Sequence, residues 1–188
     1  VNVNQLVECM CFVNDQTKIL KGNGGINPSA INNSYMIIHY LVTGSSDTKQ
    51  ISVWNVQQMM VNTTTIPQAH SGAIKALYYD EEIQLLYSGS SDKSLKMWDL
   101  KSGKCTSAIE NAHGGDWFSS GVMNIKAASG GLANMVVTTG GEGIVKVWDK
   151  RMMQGTANGN SATPAALVTQ FQAHSNSIRS MLIVGDER

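Results

Sequence analysis

The chain has 188 residues, with 14 Lys plus Arg against 14 Asp plus Glu, and it is long enough to bury a sizeable core. That balance, with no Lys/Arg cluster, argues against a nucleic-acid or membrane-surface role driven by charge. Charged residues make up 15%, below the roughly 25% of an average domain, as expected of a β protein that buries most strand faces.

Taken in chain order, a first unit at about 5–66 is expected to hold strands near 5–13, 35–43, 50–55 and 59–66. A second at about 73–110 holds strands near 73–79, 83–89, 94–99 and 104–110. A third at about 119–172 holds strands near 119–127, 132–139, 143–148 and 165–172. One more strand, 177–184, begins a fourth unit. Two inserts, 18–33 and 152–164, are rich in Gly, Asn, Ala and Ser and are expected to be mobile surface loops.

The units repeat. Leu95-Lys96-Met97-Trp98-Asp99 and Val145-Lys146-Val147-Trp148-Asp149 each read apolar, basic, apolar, Trp, Asp, and Ile51-Ser52-Val53-Trp54-Asn55 is a looser copy. The tryptophans lie 44 and 50 residues apart, and a four-stranded propeller blade takes roughly 40–45 residues. Ahead of each Trp stands an apolar strand ending in a hydroxyl residue, then a small-residue turn with an acid: Thr43 and Asp47, Ser88 and Asp92, Thr138 and Glu142. An Ala-His pair recurs at His70, His113 and His174, with a large apolar residue four positions on: Ile74, Trp117 and Ile178.

These residues closely resemble the WD40-repeat family. Its pattern is a Gly-His pair, an inner strand, a second strand ending in Ser or Thr, a turn with Asp, and a third strand ending in Trp-Asp. Here Ala-His replaces Gly-His three times. The resemblance implies an all-β propeller of about three four-stranded blades plus the first strand of a fourth. Rings of this family close with typically 4–8 blades. An open arc exposes apolar faces, so the 188 residues are expected to be a segment of a longer chain, or to close through a second copy.

His70, Ser88 and Asp92 are the residue types of a hydrolase triad. The resemblance implies a different role, a buried chain from Trp98 indole to Ser88 hydroxyl to His70 ring to Asp92 carboxylate. An indole N–H only donates, a hydroxyl and a neutral imidazole do both, and a carboxylate only accepts. The third unit offers His113, Thr138, Glu142 and Trp148, where the extra methylene of Glu142 puts the carboxylate's placement in doubt. The first offers Thr43, Asp47 and Trp54; its His would lie before residue 1. A catalytic triad does not recur once per repeat, and no Gly-x-Ser-x-Gly elbow is present. No enzyme activity, catalytic residue, cofactor or metal is expected. Gly22-Asn23-Gly24-Gly25 lacks the Lys-Ser/Thr of a phosphate loop.

The resemblance further implies a protein-interaction scaffold, presenting loops to protein or peptide partners and to neither nucleic acid nor membrane. Candidate contacts on the rim are Lys75, Lys93, Phe118 and Arg179; Trp117 reads as core. An alternative is a substrate receptor of a cullin-RING ubiquitin ligase, because Trp148-Asp149-Lys150-Arg151 is similar to the Trp-Asp-x-Arg pattern in which Arg151 would meet the ligase adaptor. A further alternative is an accessory propeller in a larger enzyme. The three cysteines, Cys9, Cys11 and Cys105, suggest no disulfide framework, so a reducing compartment, cytoplasmic or nuclear, is expected. The opening residues do not read as a secretory signal, and the longest apolar run, Tyr35 to Val42, is too short to span a bilayer.

Overall fold

A computed structural model describes residues 6–18, 35–114, 121–128, 133–153 and 166–184. These form three four-stranded antiparallel sheets, each meandering outward in chain order, with a single helical turn. Blade one is β1 (Val7–Lys18), β2 (Tyr35–Ser45), β3 (Ile51–Asn55) and β4 (Val61–Ile66). Blade two is β5 (Ile74–Asp80), β6 (Leu85–Ser90), β7 (Leu95–Asp99) and β8 (Lys104–Ile109). Blade three is β9 (Val122–Ala127), β10 (Met135–Gly140), β11 (Ile144–Asp149) and β12 (Leu167–Gln172), with α1 (Lys150–Met153) after β11. The three sheets do not close a ring.

Two irregularities recur in each blade. The third-to-outer ladder slips one residue at the tryptophan, between Val53 and Trp54, Met97 and Trp98, and Val147 and Trp148. The inner pairing slips near the opposite end, at Val7/Cys9, Ile74/Ala76 and Thr139/Gly140. Such bulges re-aim side chains and sharpen the strand twist, so the repeat is copied in backbone geometry as well as in residue type.

The core consists of two slabs, each between neighbouring blades. One packs Val13, Val42, Val53 and Ile66 of blade one against Ile74, Leu86 and Trp98 of blade two. The other packs Tyr87, Met97 and Ile109 of blade two against Val122, Val136 and Trp148 of blade three. Both faces of the middle blade are covered, so its strands β6 and β7 are almost wholly buried. Two glycines let the blades meet. A Cβ on Gly89 would sit 2.5 Å from Val122 Cγ1, and one on Gly44 would sit 2.7 Å from Ile74 Cγ2. The outer faces of the arc expose Met10 and Phe12 at one end and Val168 and Phe171 at the other.

Three expectations change. Residues 177–184 take no strand pairing, because no second strand of a fourth blade lies beside them among the described residues. The segment instead docks on blade three, where the Ile178 carbonyl accepts Asn124 Nδ2 at 2.9 Å. The first strand runs five residues past its expected end, to Lys18. The second insert begins later than residue 152, since Met152 and Met153 complete α1 and Met153 is fully buried. Residues 19–33 and 154–164 of the two inserts lie outside the described residues.

The close approach at Gly89 makes a direct prediction. Gly89→Ala should destabilise by about 1–3 kcal/mol, as overpacking does. Gly114→Ala, where an added Cβ meets nothing within 4 Å, should change urea denaturation little. Equal midpoints for the two variants would refute the packing account.

Candidate functional site

In blades two and three the sequence-predicted polar residues come together at the loop end of the blade. In blade two, β7 carries Trp98 beneath Ser88 of β6, and the indole Nε1 donates to Ser88 Oγ at 2.7 Å. The same oxygen lies 2.7 Å from His70 Nε2, and His70 Nδ1 lies 3.0 Å from Asp92 Oδ2. The carboxylate can only accept, so Nδ1 carries the proton and Nε2 accepts from the serine. Asp92 also accepts from Ser71 N at 2.9 Å, Ser94 N at 3.0 Å and Ser94 Oγ at 2.7 Å. Burial opposes charge on Asp92, but hydrogen bonds from His70 and Ser94 and the charge interaction with His70 outweigh it and hold its pKa well below the usual carboxylate range.

Blade three repeats the chain with different parts. Trp148 Nε1 donates to Thr138 Oγ1 at 2.7 Å, that oxygen lies 2.7 Å from His113 Nε2, and His113 Nδ1 lies 2.6 Å from Glu142 Oε1. The longer Glu142 thus still reaches the ring through Oε1, while its Oε2 is buried without a hydrogen-bond partner among the described residues. Ile144 stands where blade two has Ser94, so the longer acid meets the imidazole without a serine beside it. Burial pushes the His113 pKa down, overriding the upward pull of Glu142. Burial raises the Glu142 pKa, but the His113 hydrogen bond outweighs it and the net shift is downward. Both directions favour a neutral ring donating to a carboxylate anion.

In blade one Trp54 Nε1 donates to Thr43 Oγ1 at 2.9 Å. Asp47 stands apart from that pair and accepts from Leu6 N at 3.4 Å.

The rim residues lie less uniformly. Lys75 pairs with Glu8 of β1 at 2.6 Å, bridging blades one and two. Lys93 sits in a left-handed conformation (φ 74), and its carbonyl accepts from His113 N at 3.3 Å. Arg179 is exposed. Trp117 and Phe118 lie outside the described residues. Arg151 is 67% exposed, and its guanidinium bonds back to Asp149 through Nε at 3.0 Å and Nη2 at 2.6 Å.

Several residues escaped the sequence reading. Ser94 lies 3.0 Å from His70 Nδ1 and completes the Asp92 cage. Lys96 donates to the Ala69 carbonyl at 3.0 Å and Lys146 to the Ala112 carbonyl at 2.7 Å. Their signal was visible, since both are the basic residue ahead of Trp. Each clamps the loop that carries its own blade's histidine, at the residue before it. Lys150 is buried and meets Asp80 at 2.5 Å, which no local pattern betrays. Cys9 and Cys11 are free thiols, both pushed up to about 12 mainly by burial. Among the described residues no group of His, Cys, Asp or Glu side chains could hold a metal ion, and no helix is long and apolar enough to cross a membrane.

The repeated blade, with its tethered tryptophan, is that of a WD40 propeller. The profile of the family described as WD domain, G-beta repeat matches residues 61–99. That span runs from β4 of blade one to the end of β7, so sequence repeat and blade are offset by one strand. Nuclear distribution protein nudF 1 of Talaromyces marneffei is 31% identical over 117 residues, covering 61% of this chain and 24% of its own length. F-box/WD repeat-containing protein 10 of Homo sapiens is 39% identical over 74 residues, covering 37% of this chain and 7% of its own. The CCR4-associated factor 4 homolog of Vanderwaltozyma polyspora is 29% identical over 112 residues, covering 58% and 15%. The chain thus spans a quarter or less of each of these relatives. Residues 61–99 carry a WD40 repeat, and the chain is similar to these proteins over the stretches given.

Two predictions test the hydrogen-bonded chains. Trp98→Ala should destabilise by about 3–5 kcal/mol, the scale for deleting a buried aromatic, and His70→Ala by about 1–3 kcal/mol through unpaired buried groups. An unchanged melting temperature for His70→Ala would break the assignment. The second concerns acid. Folded His113 resists protonation relative to its ordinary value of 6.5, so the unfolded chain binds that proton more readily. Its contribution is whole above about pH 6.5 and falls as pH drops below it. Urea midpoints read by tryptophan fluorescence should fall from pH 7 to pH 5, and less steeply in His113→Gln.

Proposed function

We propose that the chain is a non-catalytic protein-interaction scaffold, a partial propeller whose rim loops bind protein or peptide partners. The observation that supports this most is the spent state of the triad-like constellation in blade two. Ser88 accepts from Trp98 and faces His70, His70 faces Asp92, and Asp92 is saturated by Ser71 and Ser94. A nucleophile must be free to reach a substrate, and Ser88 is fully buried. A similar chain recurs in blade three with Thr in place of Ser, as scaffolding tolerates and a tuned nucleophile does not. The domain boundaries at about 5–66, 73–110 and 119–172 are part of this reading, as is a reducing, intracellular setting for the three thiols.

A second reading, a ubiquitin-ligase substrate receptor, is favoured by one feature. Arg151 is exposed at the start of α1 and is oriented by two bonds to Asp149. A bidentate clamp of this kind fixes a guanidinium's direction, as a docking residue requires. The accessory propeller of a larger enzyme is the remaining alternative.

Affinity purification with mass spectrometry separates them. The wild-type chain should recover partners that Lys93→Glu with Arg179→Glu loses at unchanged melting temperature. Recovery of a cullin adaptor by wild type, but not by Arg151→Ala, supports the second reading; absence from both removes it. Identical recovery by wild type and the double rim variant would refute the rim as the binding surface.

A further inference from the structure

The two blade junctions use equivalent positions and fill them differently. Ladder register sets the equivalence: Val42 faces Val53 across β2–β3 as Tyr87 faces Met97 across β6–β7, and Val13 pairs with Tyr40 as Asp80 pairs with Leu85. Leu100 and Lys150 each follow the Asp after Trp. Between blades two and three, Tyr87 and Met97 fill the space and Lys150 reaches across to Asp80, at the base of the junction. Between blades one and two the same places hold Val42, Val53, Val13 and Leu100. The shorter side chains leave a groove of about 210 Å³, with Val13, Tyr40, Val53 and Thr64 on one wall and Leu100 and Lys101 on the other. It crosses all four strands of blade one. Small-molecule sites occupy about 300–1,000 Å³, so this groove suits one large side chain.

Two independent observations say what fills it. The first is the surface leading to it. Residues 50–69 carry no charged side chain, and 56–65 are almost all exposed. Edge strands are ordinarily guarded by charge or proline; β4, the outer strand of blade one, has neither within it. Just before it, Met59 and Met60 hold φ of 54 and 62, in the turn where blade two uses Gly103, and Met59 is 95% exposed. Methionine adapts to varied apolar partners. The second observation is charge. Lys101 and Asp99 line the far wall and Lys104 pairs with Asp99 across β7–β8; both lysines are exposed, while the Asp99 carboxylate is engaged by Lys101 N at 2.9 Å and Ser102 Oγ at 2.8 Å.

We propose that this groove seats one aromatic or large aliphatic side chain from an extended acidic segment of a partner protein. The segment lies along the β4 edge, where main-chain hydrogen bonds can add a strand. Its apolar side chain enters between Val53 and Leu100, and its carboxylates face Lys101 and Lys104. This rests on the scaffold reading and places binding at the turn-side end of blades one and two, away from the histidine-bearing rim.

The probe is a set of capped hexapeptides, Ac-Asp-Glu-X-Thr-Val-Asp-NH2 with X as Phe, Leu or Ala, and a Lys-flanked counterpart of the Phe peptide. Binding to the full chain is read from the methyl resonances of Met59 and Met60. The Phe and Leu peptides should shift both, and the Ala and Lys-flanked peptides should bind at least tenfold more weakly. Val53→Met copies the residue blade two carries at Met97 and should weaken Phe-peptide binding at least tenfold. The surface change Lys101→Glu should reverse the preference for acidic flanks, and it tests the proposal even where Val53→Met impairs folding. No methyl shift with any peptide, or no effect of either substitution, overturns the groove. Partner recovery lost in the Lys93→Glu, Arg179→Glu variant but intact in Val53→Met and Lys101→Glu would likewise overturn it, while leaving the scaffold reading in place.

Discussion

The tether between the tryptophan of the third strand and the hydroxyl of the second is the constraint on which the blade depends. A flat four-stranded sheet has no intrinsic reason to present its loops at one fixed angle. The indole reaches back at 2.7–2.9 Å in all three blades, and a bulge beside each tryptophan turns the ring toward that contact. In blades two and three the same oxygen then holds a histidine from the loop entering the blade. One buried hydroxyl thus joins the second strand, the third strand and the incoming loop. Buried polar groups that are fully paired fix geometry more sharply than apolar contacts do.

The acids show how chemistry constrains such a chain more tightly than sequence identity. Asp92 and Glu142 differ in length, yet each ends within hydrogen-bond reach of an imidazole Nδ1. The difference is absorbed locally. Asp92 works with Ser94, whereas Glu142 stands beside Ile144, which brings no hydroxyl. What is preserved is a terminal acceptor at the end of a donor–acceptor relay. In blade one Asp47 bonds to Leu6 N instead.

The blade order, strand count and polar relay were legible in the sequence because they depend on residue types that few other roles demand. Tryptophan followed by aspartate, recurring at a blade's length, is a pattern that few architectures besides a propeller would produce. Strand ends were less legible, since the five extra residues of β1 carry no pattern distinct from the insert after it. The final segment, 177–184, read as a strand because Ile178 follows the Ala-His pair as Ile74 and Trp117 do, but a strand exists only against a partner. Lys96 and Lys146 were visible as a recurring basic residue, yet their target is a backbone carbonyl in the loop that enters the same blade, and main-chain acceptors leave no trace in side-chain patterns. Lys150 stands in the sequence only as the variable position of Trp148-Asp149-Lys150-Arg151. Its burial against Asp80 follows from the neighbouring blade, some seventy positions earlier in the chain.

The same distinction explains why the two junctions diverged while the relays did not. A relay position admits only a donor, an acceptor or a group that is both, so substitution there is narrow. A junction position must only exclude water at tolerable packing density, and cores accept many combinations of volume. Valine for tyrosine at one place and leucine for lysine at another are both compatible with blades held together by their slabs. An ion pair as buried as Asp80–Lys150 adds less to stability than its distance suggests, because both charges were removed from water; its more robust effect is to demand its partner. The blade-two–blade-three junction is therefore closed by a specific pair. The blade-one–blade-two junction, with valines and a leucine at the matching positions, keeps a groove of about 210 Å³.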